Sequence, residues 1–133
     1  MNTQKIFFLC LLPLLLCACN VGDLLPGHVK QGYVSTNEPG TFQATYDRFN
    51  GTDWAPLELT SGQQVRINYR ITMTLGSLQV TVMDPKGGTI WVKAFLQDDQ
   101  GEYVFRAKTS GEYALLVEGK QAAGAYDFTW IME

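Results

Sequence analysis

The chain has 133 residues, enough for one ordinary domain and too few for two. A net charge of −3 excludes the basic footprint of a nucleic-acid binder, and the 12% aromatic content with few charged residues excludes disorder. One His and three Cys fall short of the ligand supply that zinc or haem sites draw on.

The chain opens with one positive charge, Lys5, and no acid. From Ile6 to Ala18 it is apolar throughout, broken only by Pro13. A bilayer-spanning helix needs about 20 apolar residues, so this shorter run fits the core of a secretory signal. A buried helix of the domain would show polar positions on a 3.6-residue period, and none occur. The run ends Leu16-Cys17-Ala18-Cys19. This resembles the bacterial lipobox, with Leu at −3, a small residue at −1 and the obligatory Cys at +1. Processing at Cys17 would put Leu16 at −1, where a small residue is required, so Cys19 is the better site.

The lipoprotein resemblance implies diacylglyceryl transfer to Cys19, cleavage before it, and acylation of the new amine. Residues 1–18 would be the cleaved signal peptide. Each buried methylene contributes about 0.8 kcal/mol, so two or three acyl chains hold a protein stably in a membrane. The partner implied first is therefore the membrane itself, through the acyl chains on Cys19. Loss of Lys5 leaves the mature chain more acidic, so the tether rather than charge holds it at an anionic surface. Cleavage also removes Cys10 and Cys17, and no internal disulfide can then form. Asn20 at +2 is not Asp. By resemblance to enterobacterial sorting, this implies the outer membrane where the host has one, and otherwise the outer face of the cytoplasmic membrane.

Residues 19–40 form the lipidated Cys and a tether. Gly22, Pro26, Gly27, Gly32, Pro39 and Gly40 interrupt regular structure there. His28 is expected as an exposed tether residue. Val21, Leu24, Leu25, Tyr33 and Val34 are apolar enough for part of the stretch to dock on the domain or form an edge strand.

From residue 41 to 133 the pattern has period 2, the mark of half-buried strands. Val65, Ile67, Tyr69, Ile71, Met73 and Leu75 alternate without error with polar residues. On a helix they would spread around the whole circumference. Leu78, Val80 and Val82 continue after Gly76-Ser77, which predicts a tight hairpin there. Asp84-Pro85-Lys86-Gly87-Gly88 predicts a turn. Further strands are predicted at 41–47, 56–60, 89–96, 102–108, 112–118 and 125–132. The whole is all-β: an antiparallel, jelly-roll-like β-sandwich of about eight strands, with Tyr126, Phe128, Trp130 and Met132 as its last inward row.

The closing segment Ser110-Gly111-Glu112-Tyr113-Ala114-Leu115-Leu116-Val117, followed by Gly124-Ala125-Tyr126-Asp127-Phe128, resembles the last hairpin of bacterial pre-peptidase C-terminal domains. The region from Thr41 to Trp130 is also similar to small bacterial lipoproteins with one such sandwich. The resemblance implies an accessory module that binds proteins or surfaces rather than one that catalyses.

No catalytic residue is assigned. Gly-x-Ser-x-Gly is absent, and the one His lies in the tether, away from any serine of the predicted sandwich. Asp98, Asp99 and Glu102 around Gly101 are expected in a solvated hairpin turn rather than as a paired-carboxylate site. Asp47-Arg48-Phe49-Asn50-Gly51-Thr52-Asp53 offers oxygen ligands in a glycine-containing loop, but its spacing is not that of a calcium loop and Arg48 opposes a cation. No metal or cofactor is expected. The candidate binding residues are Trp54, next to Ala55-Pro56, and Trp91, on a stretch apolar on both faces; these two either lie exposed or are structural. The function expected is a non-enzymatic, lipid-anchored envelope module that binds an envelope protein or a glycan. A lipid-anchored enzyme of unknown class and a passive structural lipoprotein remain alternatives.

Overall fold

The computed structural model describes residues 28–133. The expected signal peptide, Cys19 and the first part of the expected tether lie outside the described residues. Seven strands, all paired antiparallel, and no helix make up the described chain: β1 (Val29–Gln31), β2 (Val34–Glu38), β3 (Thr41–Leu59), β4 (Gln64–Met83), β5 (Thr89–Phe95), β6 (Asp99–Arg106) and β7 (Gly111–Met132).

Three long strands, β3, β7 and β4, lie side by side and run through both layers of a sandwich. Their first-layer portions are residues 41–46, 124–132 and 64–73, flanked by β2 on one edge and β6 on the other. Their second-layer portions are residues 51–59, 111–119 and 77–83, flanked by β5. β1 covers the bend of β3 at residues 48–50. Rings from the two layers meet between them. Tyr69 lies 5.4 Å from Phe95, and Phe105 lies 5.8 Å from Tyr113.

The bend is made by register shifts that line up across neighbouring strands, between Tyr46 and Gly51 in β3 and between Met73 and Ser77 in β4. Each shift inserts residues into the ladder, and an odd insertion moves the following side chains to the other face. The buried set therefore changes parity within single strands. In β4 it passes from Val65, Ile67, Tyr69 and Ile71 to Leu78, Val80 and Val82. In β7 it passes from Tyr113, Leu115 and Val117 to Ala122, Tyr126, Phe128 and Trp130. Two glycines allow the strands to touch at the fold line. A Cβ on Gly76 (φ 72°) would lie 2.3 Å from the Gln121 carbonyl oxygen, and one on Gly124 (φ 142°) 2.0 Å from that of Thr72.

The β-sandwich class is as predicted, but the strand count and several local expectations differ. Met132, expected in the last inward row, is 40% exposed at the end of β7. Three predicted pairs of strands are continuous in β3, β4 and β7, and the tether adds β1 and β2, so eight becomes seven. No hairpin forms at Gly76-Ser77; the chain bends and continues, which leaves Leu75 67% exposed instead of inward. Gly101 and Glu102 lie inside β6 and not in a turn; Glu102 pairs with Arg66 at 2.8 Å. Asp98 precedes that strand and accepts a hydrogen bond from the Met73 N–H. The turn at residues 84–88 is present, with the Asp84 carboxylate accepting from the N–H groups of Lys86 and Gly88.

Candidate binding site

The tether segment pairs its two short strands with β3 and inserts one side chain into the sandwich. All of β1 and β2 is exposed, but Tyr33 between them turns inward and stacks on Tyr46 at 6.0 Å and against Phe49 at 5.2 Å. Its hydroxyl donates to the Asp53 carboxylate and lies 2.5 Å from the Tyr126 hydroxyl. Tyr126 donates to the same carboxylate oxygen at 3.3 Å, and the Lys30 ammonium sits 3.6 Å from it. Asp53, weighed from sequence as a calcium ligand, is thus a receiver of tyrosine hydroxyls that clamps the tether, β3 and β7 together. Burial pushes the Tyr33, Tyr126 and Tyr46 phenols above their ordinary range, and for Tyr33 and Tyr126 the nearby Asp53 carboxylate adds to the shift. The Tyr46 hydroxyl is buried with no hydrogen-bond partner among the described residues.

Trp91 lies at the opposite edge. It faces inward on β5 and stacks on Tyr103 of β6, with ring centroids 4.6 Å apart and planes within 8°. Tyr69 packs 6.0 Å away. Beside them Lys93 pairs with Asp99 at 2.7 Å and donates to the Tyr69 hydroxyl at 2.8 Å. The ammonium holds the Asp99 carboxyl below the usual carboxylate range. Trp91 is therefore half-buried and closes the sandwich edge; it is not part of an open patch.

Trp54 is placed differently. Its neighbours Ala55, Leu57 and Leu59 are buried, and Trp54 itself points out of the second layer with 49% of its surface exposed. Strand register sets it in a cross-strand row of Trp54, Leu116, Thr81 and Val92. The next row holds Pro56, Ala114 and Met83. The neighbours cover Thr81 so well that it is 9% exposed although it lies on the outer side of the sheet. Beyond the apolar rows, Glu58 and Glu112 stand directly opposite one another, and Glu118 lies at the far end of the face. Like charges in direct register destabilise a sheet, so folding alone does not favour this pair.

The structure does not bring Trp54 and Trp91 together, and Cys19 lies outside the described residues. Sequence reasoning missed Leu116, Thr81 and Val92 as companions of Trp54. A signal was present: Leu115-Leu116-Val117 and Trp91-Val92 break the apolar-polar alternation, so each must place an apolar residue on an outer face. The outer face of the first layer is wholly different. Its central row is Thr36, Gln43, Asp127, Arg70 and Gln100, and the Gln43 amide donates to Asp127 at 3.0 Å.

No protein-family model matches the sequence, and no curated protein matches it. Among solved structures the chain is similar to PliG from Aeromonas hydrophila, a periplasmic inhibitor of g-type lysozyme, at 17% identity and a TM-score of 0.45 over 77% of this chain and 89% of that one. It is similar to the carbohydrate-binding module CBM6cm-2 of Cellvibrio mixtus lichenase 5A at 16% identity and a TM-score of 0.42, over 80% and 88% of the two chains. A CBM4 structure matches at 12% identity and a TM-score of 0.45, over 77% and 78%.

Proposed function

We propose that this protein is a lipid-anchored, non-enzymatic module of the bacterial cell envelope that binds an envelope protein through the Trp54 face. The carrying observation is the cross-strand row of Trp54, Leu116, Thr81 and Val92 on four adjacent strands, in which the large apolar side chains of Trp54 and Val92 are exposed on the outer side of the sheet. Such a row gains free energy only when a second surface removes it from water. An exposed Trp on a flat apolar platform is the usual anchor of a protein interface. Glu58 and Glu112 at one end of the face favour a partner whose rim is basic there; Glu118 at the other end already has Lys120 3.8 Å away. Several ionic groups away from this face are already paired, as in Arg66–Glu102 and Lys93–Asp99, or clamped, as is Asp53.

The anchor belongs to this reading on the strength of Leu16-Cys17-Ala18-Cys19 after an apolar run. With the tether docked at Tyr33, only residues 20–27 separate Cys19 from the described domain. Chain geometry limits that span to about 30 Å, so the sandwich would work close to the bilayer, at the outer membrane where the host has one. Cys19→Ala should abolish incorporation of a fatty-acid analogue and leave uncleaved precursor; equal labelling of wild type and variant would remove the anchor from the reading.

The docking face is tested by placing a photo-crosslinking residue at position 116 or, as control, at position 108 in intact cells. Discrete protein adducts should form from 116 and not from 108, and Trp54→Ala should remove them. Identical adducts from both positions would overturn the proposal.

A further inference from the structure

The opposite outer face carries a second, chemically distinct feature. A groove of about 510 Å³ runs over β6, β4 and β7, and a continuation of about 380 Å³ runs over β7, β3 and β2. Both are lined by Arg70 and Asp127, so the two form one furrow centred on that pair. Five strands spaced by about 4.8 Å make it roughly 19 Å across. Small side chains shape its floor: Thr45, Ala125 and Thr72 occupy one cross-strand row beside the longer row of Gln43, Asp127 and Arg70.

The polar groups in the furrow are largely unengaged. Asp127 accepts from Gln43 through one oxygen only. Of the four arginines, Arg48, Arg66 and Arg106 each donate to a side chain or a carbonyl. Arg70 has no such partner among the described residues. The charges also balance: Arg70 stands beside Asp127, and Glu102 at one end is neutralised by Arg66. An anion would meet Asp127 and a cation would meet Arg70, each without a compensating excess. A neutral ligand that both donates and accepts hydrogen bonds meets complementary groups throughout. The furrow offers no exposed aromatic ring, so recognition would run through the hydroxyl edges of a ligand and not through stacking.

We infer that this furrow is a binding site for a neutral, hydroxyl-rich saccharide chain, with Arg70, Asp127 and Gln43 as its central contacts. The site is independent of the Trp54 face and lies on the other side of the sandwich. Affinity is modest, because each contact replaces a hydrogen bond to water.

The test is a titration of the full chain in detergent with chitotetraose, cellotetraose and the acidic tetragalacturonate, followed by amide chemical shifts. Saturable shifts at Gln43, Arg70 and Asp127 are expected with at least one neutral oligosaccharide. Arg70→Ala and, separately, Asp127→Ala should each weaken that binding at least tenfold with spectra otherwise unchanged; Gln43→Ala supplies a third variant should either fail to fold. No saturable shift at millimolar concentrations of either neutral sugar would overturn the inference. So would tighter binding of tetragalacturonate, or shifts confined to the surroundings of Trp54.

Discussion

The two outer faces of the sandwich are built by the same three strands, yet one is apolar and the other polar. On β3, Trp54 and Pro56 face out from the second layer, while Gln43 and Thr45 face out from the first. On β7 the corresponding residues are Ala114 and Leu116 against Asp127 and Thr129, and on β4 they are Thr81 and Met83 against Asn68 and Arg70. The parity change at the fold line decides which face a residue joins. Without it, Thr72 and Thr81 would lie on opposite sides of one sheet. Two different surfaces thus arise from one bend, and each can be altered without touching the other.

The largest effect should come from the bend itself. Gly124→Ala would force a Cβ to within 2.0 Å of the Thr72 carbonyl oxygen at a φ of 142°. It should cost more than about 3 kcal/mol and damage both faces at once, measured by denaturant unfolding. A loss confined to one face would mean that the two layers fold independently.

Next comes the clamp that fastens the tether at the seam. Tyr33→Phe leaves the Asp53 carboxylate with Tyr126, Lys30 and the Trp54 N–H, and should cost about 1–3 kcal/mol. The clamp also predicts a pH dependence. Tyr33, Tyr46 and Tyr126 have raised pKa values in the fold. Their unfolded phenols ionise near pH 10, so above about pH 10 the unfolded state binds fewer protons and stability falls. Below that pH the contribution is fully present. Thermal melts on either side of pH 10 should show the decline, less steep in Tyr33→Phe; a flat profile would place these hydroxyls in water.

The smallest effects on stability should come from the faces themselves. Trp54→Ala should cost less than about 1 kcal/mol, and Arg70→Ala less than about 0.5 kcal/mol. Each should remove its own ligand and spare the other's, when the crosslinking and titration measurements are both run on both variants. Loss of both activities in either variant would collapse the two sites into one.

The strand class was legible from side-chain alternation alone, because the period of 2 is a local property and Val65–Leu75 or Tyr113–Val117 display it without reference to the rest of the chain. The turn at Asp84–Gly88 and the inward place of Trp130, 7% exposed, were legible for the same reason. The exposed position of Trp54 was left open, since a Trp beside a Pro has no alternating partners to assign its face. The continuity of β3, β4 and β7 was not legible either. Gly76-Ser77 spells a hairpin locally, and only contact with Lys120 and Gln121 of β7 makes it a bend.

Local patterning by itself determined that this is a β protein with strands at nearly these positions, an apolar run ahead of Cys19, and a glycine-rich stretch after it. Tertiary structure decided that the strands fold double along a shared line and that Tyr33 is bound by Asp53 and Tyr126. It also decided that Trp54 shares a cross-strand row with Leu116 and Val92, while Arg70 stands opposite Asp127. The physical reason is sequence distance. Alternation acts between residues two apart, whereas Trp54–Leu116, Arg70–Asp127 and Tyr33–Tyr126 join residues far apart in the chain, and only the register of closed ladders brings them face to face.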